Sequence, residues 1–140
     1  MSQLTVAVVV GSIRKESFNR QFAEALVKQF PAELKAQFIR IDDLPLYNQD
    51  HGGAPPAEVT RLKDTIQSAQ GLLFLTPEYN RSIPAPMKNA IDVGSRPYGQ
   101  SVFSGKPGAV LSASPGAIGG FGANHHLRQC LVFLDVYVLQ

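Results

Sequence analysis

Val6-Ala7-Val8-Val9-Val10-Gly11-Ser12-Ile13-Arg14-Lys15-Glu16-Ser17-Phe18-Asn19 is the stretch whose reading decides the fold. The β-branched run Val6–Val10 reads as a buried strand that stops at Gly11, and helical periodicity begins a few residues later. A buried strand turning directly into a helix gathers backbone N–H groups and the positive end of a helix at one point. Such a point is an anion site. Two serine hydroxyls, an arginine fork and an asparagine amide stand at the same place. That set suits a phosphate monoester, whose terminal oxygens a guanidinium and hydroxyls can grip. The plain alternative is a strand–helix turn capped by Ser17 or Asn19, but a cap needs one such residue rather than a cluster.

Beyond this stretch, helical and strand patterns alternate. Phe22, Ala23, Leu26, Val27 and Phe30 recur at helical spacing, and Pro31 closes the helix. Ala36 to Ile41 reads as a second strand, followed by Asp42-Asp43-Leu44-Pro45-Leu46-Tyr47 as a loop. Gly52-Gly53-Ala54-Pro55-Pro56 reads as a flexible surface connection. A helix is predicted over 57–69, a buried strand over 71–76, a short helix over 86–93 and a long polar loop over 94–106. A fourth strand follows over 108–112, then a helix from about 124 to 134 and a last strand over 136–139.

Near-continuously apolar strands separated by helices call for a parallel sheet covered on both faces. The predicted fold is α/β, a flavodoxin-like three-layer sandwich with a five-stranded sheet in the order 2-1-3-4-5, formed by residues 1–140 as a single domain. Ligands of such sheets sit beyond the carboxyl ends of the strands, where the strand order reverses. The loops there begin at Gly11, Pro77 and about Ser114. A sheet of this kind needs a helix after its fifth strand, and none is visible in the sequence. The expectation is therefore a C-terminally truncated chain, which intact mass of the purified protein would test.

The 140 residues fit one domain, and 44% hydrophobic with 17% charged content is globular. A net charge of +2 without a basic run does not imply a nucleic-acid partner. The single cysteine, Cys130, cannot form an internal disulfide and reads as a buried core thiol, which fits a cytoplasmic location. Neither a signal peptide nor a stretch of transmembrane length is seen.

The second loop, Thr76-Pro77-Glu78-Tyr79-Asn80-Arg81-Ser82-Ile83-Pro84-Ala85-Pro86, is stiffened by prolines and carries a flat amphipathic ring. Alone it would be an ordinary proline-rich connection. Across a crevice from a phosphate loop, it can lay backbone N–H and C=O groups along a planar heterocycle.

Gly11-Ser12-x-Arg14-x-x-Ser17-x-Asn19, together with Thr76-Pro77-Glu78-Tyr79-Asn80 and Lys88-Asn89-Ala90-Ile91-Asp92, resembles the NADPH-dependent FMN reductase family, in its bacterial quinone and chromate reductase branch. The likeness continues through Gly105-Lys106-Pro107, Ser114, Ile118-Gly119-Gly120 and His126-Leu127-Arg128-Gln129, and so covers essentially the whole chain. The resemblance implies bound FMN, NADPH or NADH as co-substrate, and a homodimer or homotetramer. By it, Ser12, Arg14, Ser17 and Asn19 hold the FMN phosphate, with Phe18 contributing backbone. Pro77, Glu78, Tyr79 and Asn80 line the isoalloxazine, and Ser114 approaches from the fourth-strand loop. Glu78 is expected to serve structure rather than acid catalysis. Arg81 falls at a position that varies in the family, so substrate preference is not carried over.

The implied chemistry is hydride transfer from NAD(P)H to flavin N5, then electron transfer to an acceptor on the same face, with ping-pong kinetics. No catalytic side chain is required. Quinones, chromate, azo compounds and free flavin are all possible acceptors. Two other classes stay open: a flavodoxin-type electron carrier and an FMN-binding sensor. A carrier is typically acidic where it docks, whereas the isoelectric point here is near 8.8. Gly116-Ala117-Ile118-Gly119-Gly120-Phe121-Gly122 has the wrong spacing for a dinucleotide fingerprint. Asp42 and Asp43 read as a solvated turn. His125 and His126 are adjacent, point about 100° apart on a helix, and are not expected to bind metal.

Overall fold

A computed structural model of the chain describes residues 3–50 and 54–140, so Gly52 and Gly53 of the predicted connection lie outside the described residues. The elements in chain order are β1 (Leu4–Val10), α1 (Phe18–Val27), β2 (Leu34–Ile39), α2 (Ala57–Ser68) and β3 (Gly71–Thr76), then α3 (Ala85–Gly94), β4 (Pro107–Ser112), α4 (Phe121–Phe133) and β5 (Tyr137–Val138). The strands form one parallel sheet in the order β2-β1-β3-β4-β5, as the sequence predicts.

Strand alternation sorts the core into two faces. Ala7, Val9, Leu72, Phe74 and Val110 join Leu62 and Ile66 of α2, Met87 and Ile91 of α3, and Leu127 and Leu131 of α4 in one cluster. Val8, Val10, Leu73 and Leu75 turn the other way, onto Ala23 of α1. Each large side chain buried this way contributes about 1.5–3 kcal/mol, which makes the central strands the anchor from which the loops extend.

Several boundaries differ from the periodicity reading. Helix α1 stops at Val27 because Gln29 and Phe30 bond back to Leu26 and Val27, tightening the last turn before Pro31. Strand β2 starts two residues early, at Leu34 opposite Leu4, and Arg40 turns out to Asp42 at 2.7 Å. The loop over 95–106 is not wholly polar. Its Phe103 is buried against Phe74, with ring centroids 6.3 Å apart. Gly94 makes room for that ring, since a Cβ there would lie 2.7 Å from it. Helix α4 begins three residues earlier than expected, and β5 pairs only with Pro107 and Gly108 of β4. Cys130 is half-buried at the edge of the larger cluster rather than fully enclosed, and burial still pushes its thiol up.

Candidate active site

Three loops leave the carboxyl ends of β1, β3 and β4 side by side. The first is pinned at its start, where the Gly11 N–H donates to the Leu75 carbonyl at 2.8 Å. A Cβ on Gly11 would stand 3.1–3.2 Å from Met87 and Pro84, so glycine lets this loop lie close against the start of α3. Ser17 is buried and caps α1, accepting from the Arg20 N–H at 3.1 Å. Its own O–H has no acceptor among the described residues. The same holds for the N–H groups of Ile13, Lys15 and Glu16 and for the guanidinium of Arg14, which stands 5.8 Å from the Phe18 ring. Ser12 accepts only a long bond, 3.4 Å, from the Arg14 amide. A cluster of N–H, O–H and guanidinium donors without protein acceptors, at a helix N-terminus, fits a phosphate monoester.

Asn19 also holds two of the loops together. It is buried, donates to the Ala113 carbonyl at 2.9 Å and accepts the Ala113 N–H at 3.0 Å. Each end of its amide makes one bond to that peptide, and the second Nδ2 hydrogen has no acceptor among the described residues. With these two bonds it ties the first loop to the third.

The second loop is a tight hairpin turn. Tyr79 and Ser82 exchange N–H···O bonds of 3.0 Å in both directions, and Asn80 and Arg81 between them have φ of 51° and 65°. Positive φ at both central residues defines a type I′ turn, for which asparagine is well suited. Tyr79 is left with about half its surface exposed at the rim.

Glu78 turns away from this rim. Its Oε2 accepts the Ala123 N–H at 2.9 Å, near the Gly122 N–H, and so caps α4, whose N-cap residue Gly120 has no side chain to do so. The Ala123 N–H above all, with Gly122 and Arg81 adding, holds the Glu78 carboxyl below the ordinary glutamate value. Helix α4 can start at Phe121 because Gly120 adopts φ 82°, a left-handed conformation. Gly122 seats the turn on the helix, since a Cβ there would lie 2.9 Å from both the Arg81 carbonyl oxygen and Glu78 Oε2. Ser82 Oγ and His126 Nδ1, 2.9 Å apart, add a third tie.

In the third loop, Ser114 donates to the Gly116 carbonyl at 3.2 Å and is half-buried beside the Ala113 tie. Periodicity missed Ala113, Gly120, Gly122 and His126 as parts of this assembly. One signal was present: a helix preceded by glycines, with no Ser, Thr, Asp or Asn at its start, needs a cap from elsewhere.

The remaining candidates lie apart. Asp42 pairs with Arg40 and Asp43 with Arg61, each at 2.7 Å, in the solvated turn that was expected. His125 packs against Phe121 with the rings tilted by 44° and their centroids 4.2 Å apart. Among the described residues no group of three His, Cys, Asp or Glu side chains could hold a metal ion.

A sheet of this order, with a donor-rich loop at its switch point and a rigid loop across from it, has the flavodoxin-like architecture of nucleotide-binding proteins. The chain belongs to the NADPH-dependent FMN reductase family, whose model matches residues 4–140. Membership makes it an NAD(P)H-dependent oxidoreductase working with FMN. It is 61% identical over 142 residues to a quinone reductase of Pseudomonas putida, an alignment that covers 100% of this chain and 76% of the relative. It is 48% identical over 136 residues to a 2-hydroxy-1,4-benzoquinone reductase of a Burkholderia species, covering 97% and 74%. The flavoenzyme NAD(P)H:(acceptor) oxidoreductase of Paracoccus denitrificans superposes with a TM-score of 0.94 at 44% identity, over 98% of this chain and 75% of that one.

Proposed function

We propose that this protein is an NAD(P)H:quinone oxidoreductase that uses FMN in a ping-pong cycle. The observation that carries the reading is the first loop. Its Arg14 guanidinium, Ser17 hydroxyl and run of amides have no acceptors among the described residues, beside a helix N-terminus.

On this reading Ser12, Arg14, Ser17 and the backbone at Phe18 hold the FMN phosphate. Pro77, Tyr79 and Asn80 edge the isoalloxazine, and Ser114 closes the third side. Asn19 and Glu78 act behind this surface, holding the loops at fixed spacing. When bound, FMN supplies the hydride acceptor and donor. The residues around it position the ring and leave one face open to both substrates in turn, so that product must leave before the acceptor enters. Over the cycle, NAD(P)H gives up a hydride and water a proton, NAD(P)⁺ is released, and the two quinone carbonyl oxygens become hydroxyls.

Chromate, azo compounds and free flavin could draw on the same open face. Assembly as a homodimer or homotetramer in the cytoplasm belongs to the same proposal. Among the described residues, no helix is long and apolar enough to cross a membrane.

The test is an absorbance spectrum of the purified protein with FMN, followed by anaerobic NADPH and then a quinone. Bleaching by NADPH and recovery of the oxidised spectrum with the quinone are the expected results. Bound flavin that NADPH leaves oxidised would move the reading to a flavodoxin-type carrier or a sensor.

A further inference from the structure

We propose that the cleft behind the first loop is a site for adenosine, through which the chain holds the adenylyl half of FAD as well as FMN. The inference rests on placing the flavin phosphate in that loop, and it extends the same site. A cleft of 270 Å³ opens where Ser12 and Ile13 meet the start of α1 and the ends of β1 and β2. Since β2 and β3 flank β1 on opposite sides, this cleft lies across the first loop from the second. It shares Ser12 and Ile13 with the donor-rich loop, so a group carried on a phosphate held there has the cleft beside it. Its volume is right for a nucleoside rather than a whole dinucleotide, because pockets for drug-sized ligands run to about 300–1,000 Å³.

The walls match the parts of a nucleoside. Arg20, in the first turn of α1, holds its guanidinium 4.1 Å from the centre of the Phe38 ring, and both side chains line the cleft. Glu24 fixes that guanidinium through a 2.7 Å bond, so planar groups are set in place for a base to stack on. Just past β2, Asp42 accepts from Arg40 at 2.7 Å through Oδ1 and only at 3.4 Å through Oδ2. The second oxygen keeps lone pairs for the hydroxyls of a ribose. An acid that follows the second strand takes this role in dinucleotide-binding α/β folds. The charges disfavour a second phosphate as the occupant. Arg20 and Arg40, the two cations that line the cleft, already face Glu24 and Asp42, and a neutral base and ribose need no further cation.

The test titrates the FMN-free full chain with FMN and with FAD, read from the flavin spectrum, and wild type should take up both. Arg20→Lys keeps the charge but loses the plane, and the Kd for FAD should rise about threefold. Asp42→Asn keeps the shape but loses the ion, and the Kd for FAD should rise about fivefold. The Kd for FMN should stay as in wild type for both variants, so the ratio of the two isolates the cleft. A parallel titration of the FMN-loaded chain uses NADP⁺ and nicotinamide mononucleotide. Variants that weaken NADP⁺ alone, with FAD unaffected, would overturn the FAD assignment and give the adenosine site to the pyridine dinucleotide. Unchanged Kd values throughout, or equal losses for FMN and FAD, would overturn the site itself. Wild type that binds neither flavin would defeat the phosphate loop on which the inference rests. No reading needs turnover, so the cleft is judged even if NADPH leaves the flavin oxidised.

Discussion

The loop after β1 and the loop after β3 face the same crevice but are finished in opposite ways. In the first, the donors of Arg14, Ser17 and several amides have no acceptor among the described residues. In the second, the turn bonds itself closed at Tyr79 and Ser82, and Glu78 and Ser82 tie it to α4. An anion site must leave its donors unspent, because they are to be satisfied by the ligand. A surface that presents the edge and face of a ring needs shape held in advance, so its polar groups are spent within the protein. Substitutions in the first loop should therefore cost ligand affinity, and those in the ties should cost stability first.

The largest effect is expected for Arg14→Ala, which removes a charged donor worth about 1.5–3 kcal/mol and should weaken FMN binding about tenfold or more. Equilibrium titration of FMN by flavin fluorescence checks it, and retained wild-type affinity would remove Arg14 from the phosphate site. The contrast with Asn19 sharpens the division. Asn19→Ala leaves the Ala113 N–H and C=O unpaired in a half-buried place, at a cost of about 1–3 kcal/mol in folding stability. Urea unfolding of the FMN-free protein should register that loss. If only FMN affinity changed, Asn19 would return to the phosphate.

Glu78 gives a test by pH. Its folded pKa is depressed, so its stabilising contact is complete above the ordinary glutamate value of 4.5 and is lost as pH falls through the lower folded value. The melting-temperature gap between wild type and Glu78→Gln should be widest near neutral pH and should narrow in acid below 4.5. A gap constant across that range would mean that the charge of Glu78 does no work at α4. The smallest effect is expected for Ser12→Ala, about threefold in FMN affinity, since one neutral hydroxyl bond is worth about 0.5–1 kcal/mol. A loss as large as that of Arg14→Ala would show that Ser12 is a principal ligand.

The elements differ in how far they could be read from the sequence. Strand β3 and helix α2 were legible almost to the residue, because a buried apolar run or a one-sided helix carries its own period. Helix α4 was misplaced at its start. Its cap comes from Glu78, and 45 positions separate that side chain from Ala123. Asn19 stood out in the sequence, but its bonds to Ala113 were not legible there, since an amide suits a phosphate and a peptide equally well.

The amino-acid order alone determined the α/β alternation and the strand–helix turn at Gly11 with its cluster of polar donors. Those follow from periodicities and from a strand–helix turn, which are local properties of the chain. Only the tertiary structure decided which polar groups around the crevice remain free for a ligand. A hydrogen bond is spent by whatever lies within about 3 Å, and for Asn19 and Glu78 that neighbour comes from a distant part of the chain.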